Sequence, residues 1–274
     1  FHFPLSSGGL VHMWYRLAQI LSAWYDEIVE QANKSAYLHA DETGWRVNGV
    51  THWLWCFTNH RLTCYLIHRS RGSPVLAGFF GELFSGILIS DFYGAYNKLK
   101  VAARQVCFVH LFRELEKVGK SNQSPEWLAF RKKLVRFLRD ALRLDKNGSL
   151  SERSRTNRFL RLHQRLDDLL VESYIDPDCI RLVKRLKRHR EDMLTFLEHQ
   201  DVSADNNHGE REIRPAVIIR KNSYGNKSKR GADVQALLMS VYRTLERRGL
   251  DPLETISCAL KLYIKTGVLP PLPG

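Results

Sequence analysis

The spacing of hydrophobic positions divides the chain into a segment of mixed helices and strands, a purely helical segment and a helical end. Residues 10–33 have helical periodicity, and short runs rich in aromatic and β-branched residues follow at 37–43, 52–59 and 62–69. Asn48-Gly49 and residues 58–61 are turn sequences between these runs. The pattern therefore predicts a helical lead-in over 1–35 and then three consecutive antiparallel strands.

The next segment alternates between helical and strand patterns. A helix, a strand, a short helix, a strand and a further helix are predicted at 73–83, 86–90, 93–100, 105–109 and from Leu111. This order favours an α/β fold with a mixed five-stranded sheet flanked by helices, and residues 36–119 form its first part. In such a sheet the first and fourth strands are central neighbours.

The alternation stops after residue 119. Residues 120–204 contain only helical stripes and are interpreted as an all-helical insertion of three or four helices. Residues 205–230 are expected to complete the core with a short helix ended by Pro215, an extended stretch at 217–219 and a basic loop from Asn222. Two further helices are predicted within 231–274.

Composition narrows the class of partner. The 274-residue chain has a formal net charge of +13 and a pI of about 9.7, which indicates a polyanion partner, although solubility alone would also explain some excess charge. No run of about 18 apolar residues is present, so no membrane span is predicted. Because the chain starts without Met or a signal pattern, we interpret it as part of a longer cytoplasmic protein.

Three acidic residues stand where a sheet could bring them together. Asp41 and Asp91 each follow an apolar run, and Glu210 lies at the start of a predicted helix. Taken singly, each could be a turn, cap or surface residue. Together, three converging carboxylates would repel one another unless cations bind, and oxygen ligands favour Mg²⁺ or Mn²⁺. The pattern therefore predicts a site for two such ions that cuts a phosphodiester.

Basic residues cluster just after the third acid. Seven of them are candidates for phosphate contacts, with a solvated basic loop as the alternative: Arg211, Arg214, Arg220, Lys221, Lys227, Lys229 and Arg230. Asn206 and Asn207 are either helix caps or part of a phosphate site at the helix start.

Two further features have weaker interpretations. Trp45, close to Asp41, is the candidate for stacking on a displaced base, with core packing as the alternative. Cys107 and His110 have half of a metal-site spacing, but a buried thiol and a satisfied histidine explain them better.

Several motifs together resemble a known family. They are residues 39–45 (HADETGW), 90–96 (SDFYGAY), Cys107-x-x-His110, and 205–215 (DNNHGEREIRP) followed by residues 220–222 (RKN). In this order they are similar to the catalytic domain of bacterial insertion-sequence transposases of the IS sixty-six type, and the similarity covers nearly the whole chain.

The resemblance implies a ribonuclease-H-like fold in which Asp41, Asp91 and Glu210 are the Asp-Asp-Glu catalytic triad and the helical insertion separates the second and third acids. It implies a DNA transposase that cleaves transposon ends and transfers the 3′-hydroxyl into target DNA, as a homo-oligomer on DNA in the nucleoid, with accessory proteins of the same element as further candidate partners. A nuclease or resolvase of the same fold that cuts without joining, and a non-catalytic DNA-binding remnant, stay open as alternatives.

Overall fold

The structure is a computed structural model that describes residues 6–146 and 151–274. The start of the predicted lead-in, 1–5, and residues 147–150 of the predicted insertion lie outside the described residues. The strands are β1 (Tyr37–Val47), β2 (Val50–Thr58), β3 (Thr63–His68), β4 (Leu83–Ser90) and β5 (Lys100–Val106). They form one mixed five-stranded sheet in the order β3-β2-β1-β4-β5, which confirms the predicted α/β, ribonuclease-H-like fold with β1 at its centre.

Ten α-helices accompany this sheet within the described residues. They are α1 (Ser7–Ile20), α2 (Ser22–Asn33), α3 (Ser73–Phe80), α4 (Phe108–Gly119), α5 (Pro125–Lys146), α6 (Glu152–Val171), α7 (Pro177–Arg188), α8 (Asn207–Ser223), α9 (Lys229–Arg247) and α10 (Pro252–Thr266). Within the described part of the chain, none of them combines the length and apolar character that crossing a membrane requires.

The chain is organised as two compact units. The first comprises Phe1–Gly86, Gly94–Ala102 and Asn207–Gly274, and the second comprises Ile87–Tyr93 and Ala103–Asn206. The second unit includes the described residues of 120–204, in which α5, α6 and α7 are the α-helices. The finer domain boundaries predicted from the sequence stay a prediction.

The β1–β2 hairpin is longer than the sequence pattern predicts. Asn48 and Gly49 have φ angles of 49° and 74°, and this two-residue turn lets the ladder continue up to the Val47–Val50 pair. Asp41, which follows the apolar run, therefore lies inside β1, opposite Cys56, and the strand continues past the predicted end at residue 43. Pairing along the whole hairpin outweighs the low strand propensity of the Asp41-Glu42 pair.

The boundaries around the fifth strand also differ from prediction. The predicted helix at 93–100 is a 3₁₀ turn, Tyr96–Lys98, and β5 starts at Lys100 instead of Gln105. The predicted strand end at Val109 is already in α4, which Cys107 precedes as the N-cap. Only the last three residues of β5 are buried, so its first half lacks the apolar run that marked the other strands.

Proline 215 does not end the helix that carries Glu210. α8 runs from Asn207 to Ser223 with Pro215 inside it, so the predicted extended stretch at 217–219 and the start of the predicted loop are helical. An internal proline costs a helix about 3 kcal/mol. Ile213 and Ala216 are buried in the core under the helix, and this packing offsets the cost.

One hydrophobic core of the first unit lies next to the candidate site, between one face of the sheet and helices α8 and α9. From the sheet it takes alternate residues of β1, β2 and β3, as the strand period of two requires. Its members are Trp45, Val47, Leu54, Cys56, Tyr65, Ile67, Ile213, Ala216, Ala232, Ala236 and Met239.

Candidate active site on one face of the sheet

Asp41 lies on the sheet face that α8 covers. The strand register places Asp41, Cys56 and Tyr65 in one row across β1, β2 and β3, and the last two belong to the core under α8 and α9. The Asp41 carboxylate accepts a hydrogen bond from the Glu42 backbone N–H at 2.9 Å. Burial raises the pKa of the Cys56 thiol, and the negative charges of Asp41 and Glu212 raise it further. Cys56 therefore stays a neutral thiol beneath Asp41.

Helix α8 is fastened to β1 on both sides of Asp41. At its start, the His208 ring lies 5.1 Å from the His39 ring between centroids, and His208 Nε2 is 2.9 Å from the Asn59 carbonyl oxygen. At its end, Arg220 donates to the Thr43 hydroxyl at 3.2 Å and to the Gly44 carbonyl. His39 and Thr43 flank Asp41 on the same face of the strand. The helix that carries Glu210 therefore extends along the strand that carries Asp41.

Burial also affects the histidine at this contact. Burial lowers the pKa of His208, which favours the neutral ring at neutral pH. A neutral His208 packs against His39 without repelling it.

Two glutamates of α8 have different surroundings. Glu212 is buried and pairs with Arg243 at 2.9 Å, and its backbone carbonyl accepts a hydrogen bond from the Tyr65 hydroxyl at 2.5 Å. Glu210 stands about 200° away around the helix axis, so it lies on the flank of α8 that turns away from α9. α8 packs on β1 and β2, whereas α9 packs on β3. The sequence analysis did not predict that Glu212 is buried. Its helical spacing with Gly209, Ile213 and Ala216, which form the buried stripe of α8, could have indicated this.

Asp91 belongs to the second unit and directly follows β4. Its carboxylate accepts the Tyr93 backbone N–H at 2.8 Å, and its neighbour Ser90 accepts the Cys107 backbone N–H at 2.9 Å. The Cys107 sulfur in turn accepts the Asn206 N–H at 3.1 Å. Cys107 thereby joins Ser90 and Asn206 within the second unit.

These contacts favour a structural interpretation of Cys107. Burial raises the pKa of the Cys107 thiol, which disfavours the thiolate that a metal would need. Both residues lie at the start of α4: Cys107 is its N-cap and His110 is in its first turn. The structural interpretation of Cys107 therefore agrees with its surroundings.

The donor chemistry of the three acids suits a hard divalent cation. Three carboxylates offer only oxygen ligands, which Mg²⁺ and Mn²⁺ prefer. Within residues 6–146 and 151–274, no group of three or more His, Cys, Asp or Glu side chains is arranged to hold a metal ion. The two-ion site predicted from the sequence therefore stays a prediction.

The predicted phosphate-binding residues fall into three groups. Arg211, Arg214, Lys221 and Lys227 have exposed side chains on α8 and on the loop that follows it. Arg220 is half-buried and holds β1. Lys229 and Arg230 belong to the first turn of α9, not to a loop, and each has a partner within the protein: Lys229 pairs with Asp233, and Arg230 lies 4.1 Å from the centroid of the Tyr15 ring.

The two asparagines predicted at the helix start have different positions. Asn206 is buried, and Asn207 is the first residue of α8.

Trp45 is a core residue, and its predicted role in base stacking was wrong. Its side chain is 2% exposed and its indole N–H donates to the Asn226 side-chain oxygen at 2.7 Å. The strand continues past Asp41 to Val47, so the alternation directs Trp45 into the core under α8 and α9.

Comparisons with known proteins identify similar chains and a family. The chain is 26% identical over 275 residues to the uncharacterized protein y4qI of Sinorhizobium fredii, an alignment that covers 86% of this chain and 49% of that protein. The uncharacterized proteins y4jD and y4jO of the same organism are 26% and 29% identical, over 66% and 62% of this chain and over 38% and 51% of their own lengths. The chain thus spans about half the length, or less, of these relatives. The sequence profile of the Transposase IS66 family matches residues 1–234, so the chain belongs to that family.

Proposed function

We propose that this chain is the catalytic part of a DNA transposase, with Asp41, Asp91 and Glu210 as its acidic triad. The observation that carries the proposal is the attachment of α8, whose first turn contains Glu210, along β1 on both sides of Asp41. The Cys107 contacts support the inclusion of Asp91, because they join Ser90 and Asn206. Membership of a transposase family supports the reaction class.

The three carboxylates would hold two Mg²⁺ or Mn²⁺ ions. When bound, such ions supply Lewis-acid stabilisation of the attacking and leaving oxygens of a phosphodiester. The protein contributes the placement of its acids: β1 fixes Asp41, the end of β4 fixes Asp91, and the first turn of α8 fixes Glu210. Glu212 and its arginine partner hold the α8 backbone in register and take no part in the reaction.

The exposed cations of α8 and its following loop would hold the DNA backbone. Arg211 is next to Glu210 and Arg214 is four residues, about one helical turn, further along α8, so phosphates bound there would be close to Glu210. Lys221 and Lys227 extend the basic surface beyond the helix. Arginine contacts phosphate through two parallel N–H groups, which orients the backbone as well as binding it.

The reaction would take place in two displacements at phosphorus. In the first, a water oxygen bonds to the phosphorus at a transposon end while the bond to the 3′-oxygen breaks and that oxygen takes a proton. In the second, the released 3′-hydroxyl loses its proton, bonds to a target phosphorus and displaces the 3′-oxygen of the target strand. Both steps need the attacking oxygen in line with the leaving oxygen, which the held phosphates provide.

The test is Mg²⁺-dependent cleavage and strand transfer by the full-length protein on DNA carrying the ends of its element. Asp91→Asn is expected to abolish both reactions, whereas Asp168→Asn, an exposed aspartate of α6, leaves them unchanged. Normal activity of Asp91→Asn would contradict the assignment of the triad.

Product analysis separates the alternatives in the same assay. A transposase yields joined products with the transposon 3′ end covalently attached to target DNA. Cleavage without joining would identify a nuclease or resolvase of the same fold, and steeply salt-dependent binding without cleavage would identify a DNA-binding remnant.

A further inference from the structure

We propose that Tyr224 is a base-stacking residue that binds an unpaired nucleotide of the DNA. The proposal rests on the proposed function in one respect, that the chain binds DNA. Tyr224 belongs neither to the acidic triad nor to the cations proposed to bind phosphate.

The loop that carries Tyr224 is short and fixed. It links Ser223, the last residue of α8, to Lys229, the first of α9, and Asn226 attaches it to the end of β1. The Asn226 backbone N–H donates to the Arg46 carbonyl at 2.9 Å, and its carbonyl accepts the Asn48 N–H at 2.8 Å. The Asn226 side chain accepts the Trp45 indole N–H at 2.7 Å and donates to the Gly231 carbonyl at 3.2 Å. The buried tryptophan therefore anchors the loop.

Tyr224 itself has an unusual backbone conformation. Its φ angle is 57°, in the left-handed region that bulky residues seldom adopt, and its N–H donates to the Arg220 carbonyl at 2.8 Å. The next residue, Gly225, has a φ of 100°, and a Cβ atom there would lie 2.2 Å from the Arg46 carbonyl oxygen. The close approach of the loop to β1 thus requires glycine at 225 and holds Tyr224 in its strained geometry. Strain of this kind is concentrated at functional positions.

The result is an aromatic ring in solvent on a rigid support. Tyr224 is 85% exposed, although a tyrosine gains stability from burying its ring. A loop that only connected two helices would be better served by Asn or Gly at this left-handed position. The ring therefore has the exposure and the fixed position that contact with a ligand needs.

The charges around the ring identify the ligand class. Lys221 and Lys227 lie three residues to either side of Tyr224, and both are exposed. Between Glu212 and Asp233 the sequence contains no acidic residue, while six basic residues occur there: Arg214, Arg220, Lys221, Lys227, Lys229 and Arg230. An aromatic ring beside cations that bind the backbone is the arrangement by which proteins hold unpaired nucleic-acid bases. A base inside a duplex is already stacked on both faces, so the ring would bind a nucleotide outside a duplex.

The test compares two substitutions of the full-length protein, with the DNA binding measured in EDTA so that no strand is cut. Tyr224→Asn removes the ring but tolerates the left-handed backbone, and Tyr224→Trp keeps a ring. The probes are a short fluorescein-labelled single strand of mixed sequence and the same strand in a duplex.

Tyr224→Asn is expected to weaken single-strand binding about 5- to 100-fold, the loss typical of one stacked base, and to change duplex binding less than about two-fold. Tyr224→Trp is expected to bind the single strand within about two-fold of the wild type. As a second measurement, a single strand containing 5-iodouracil should crosslink to Tyr224 on irradiation.

Unchanged single-strand binding by Tyr224→Asn, an equal loss in Tyr224→Trp, or a crosslink that maps elsewhere would each overturn the proposal. The wild-type control separates this outcome from failure of the proposed function. If the wild type binds neither probe, both the proposed function and the role of Tyr224 are contradicted. If the wild type binds both probes and Tyr224→Asn binds them with the same affinity, only the role of Tyr224 is contradicted.

Discussion

Arg243 donates to both carboxylate oxygens of Glu212, with its Nη2 atom 2.9 Å and 3.1 Å from them and its Nε atom 3.1 Å from one of them. Arg247 approaches the same carboxylate at 3.6 Å, and the Glu212 side chain is only 3% exposed. This contact fixes the rotation of α8 and thereby sets the direction of Glu210, two residues earlier.

Glu212→Gln should therefore destabilise the protein. The substitution breaks a buried ion pair, and we expect the free energy of unfolding to fall by about 3 kcal/mol, the lower end for such a change, since Arg243 keeps its salt bridge to Glu246 and some contact with solvent. Glu210→Gln is the matched control on the same helix and should change that free energy by less than about 0.5 kcal/mol. Urea denaturation of both variants measures the difference, and equal stability of the two would contradict the structural role of Glu212.

Asn226→Ala should loosen the loop after α8. The substitution leaves the buried Trp45 indole N–H without its hydrogen-bond acceptor, which costs about 1–3 kcal/mol. Limited proteolysis should then cut the variant within 223–229 faster than the wild type. Asn222→Ala, at an exposed position of α8, provides the control and should be cut at the wild-type rate.

Arg214→Ala should weaken DNA binding without regard to sequence. Loss of one phosphate contact lowers the slope of log affinity against log salt concentration by about one. Fluorescence anisotropy across a salt series measures this slope. Arg153→Ala, at an exposed position of α6, should leave the slope unchanged, and an equal effect of both substitutions would show that only net charge matters.

Asp176 should make the stability of the second unit depend on pH in acid. The Ser124 hydroxyl and the Asn122 amide donate to its carboxylate and lower its pKa to about 2, and it also caps α7 through the Asp178 and Cys179 N–H groups. A carboxylate whose pKa is lower in the folded state stabilises the fold above its unfolded pKa of about 3.9. That contribution is lost as the pH falls from about 4 to about 2.

The measurement is the difference in melting temperature between the wild type and Asp176→Asn. At neutral pH the wild type should melt at the higher temperature, because Asn keeps the N-cap of α7 but replaces the charged acceptor of the Ser124 and Asn122 hydrogen bonds. The two melting temperatures should converge below pH 4. A difference that stays constant down to pH 2 would contradict the role assigned to the carboxylate.

The sequence was sufficient where local signals and hydrophobic pattern agreed. The Asn48-Gly49 turn and the apolar run of β4 were confirmed, and so was the prediction that the first and fourth strands are neighbours in the sheet. The long helical stripes of 120–204 were equally informative, because amphipathic helices have a strong period.

Tertiary packing explains what the sequence did not predict. Pro215 is a helix breaker in isolation, but Ile213 and Ala216 pack into the core on either side of it and hold α8 together. Trp45 lies only four residues from Asp41, yet its burial depends on a strand that continues beyond the predicted end. The separate roles of Glu210 and Glu212 depend on Arg243, which is distant in the sequence and has no local signal.

The central claim, that Asp41, Asp91 and Glu210 serve one metal site, is tested most directly by cutting the protein from within that site. Fe²⁺ replaces Mg²⁺ in the full-length protein, and ascorbate with hydrogen peroxide then generates hydroxyl radicals that cut the backbone next to the bound ion. We predict cuts near all three acids, each suppressed by Asp91→Asn and by competing Mg²⁺. Cuts that omit any one of the three, or that persist in Asp91→Asn, would contradict the account.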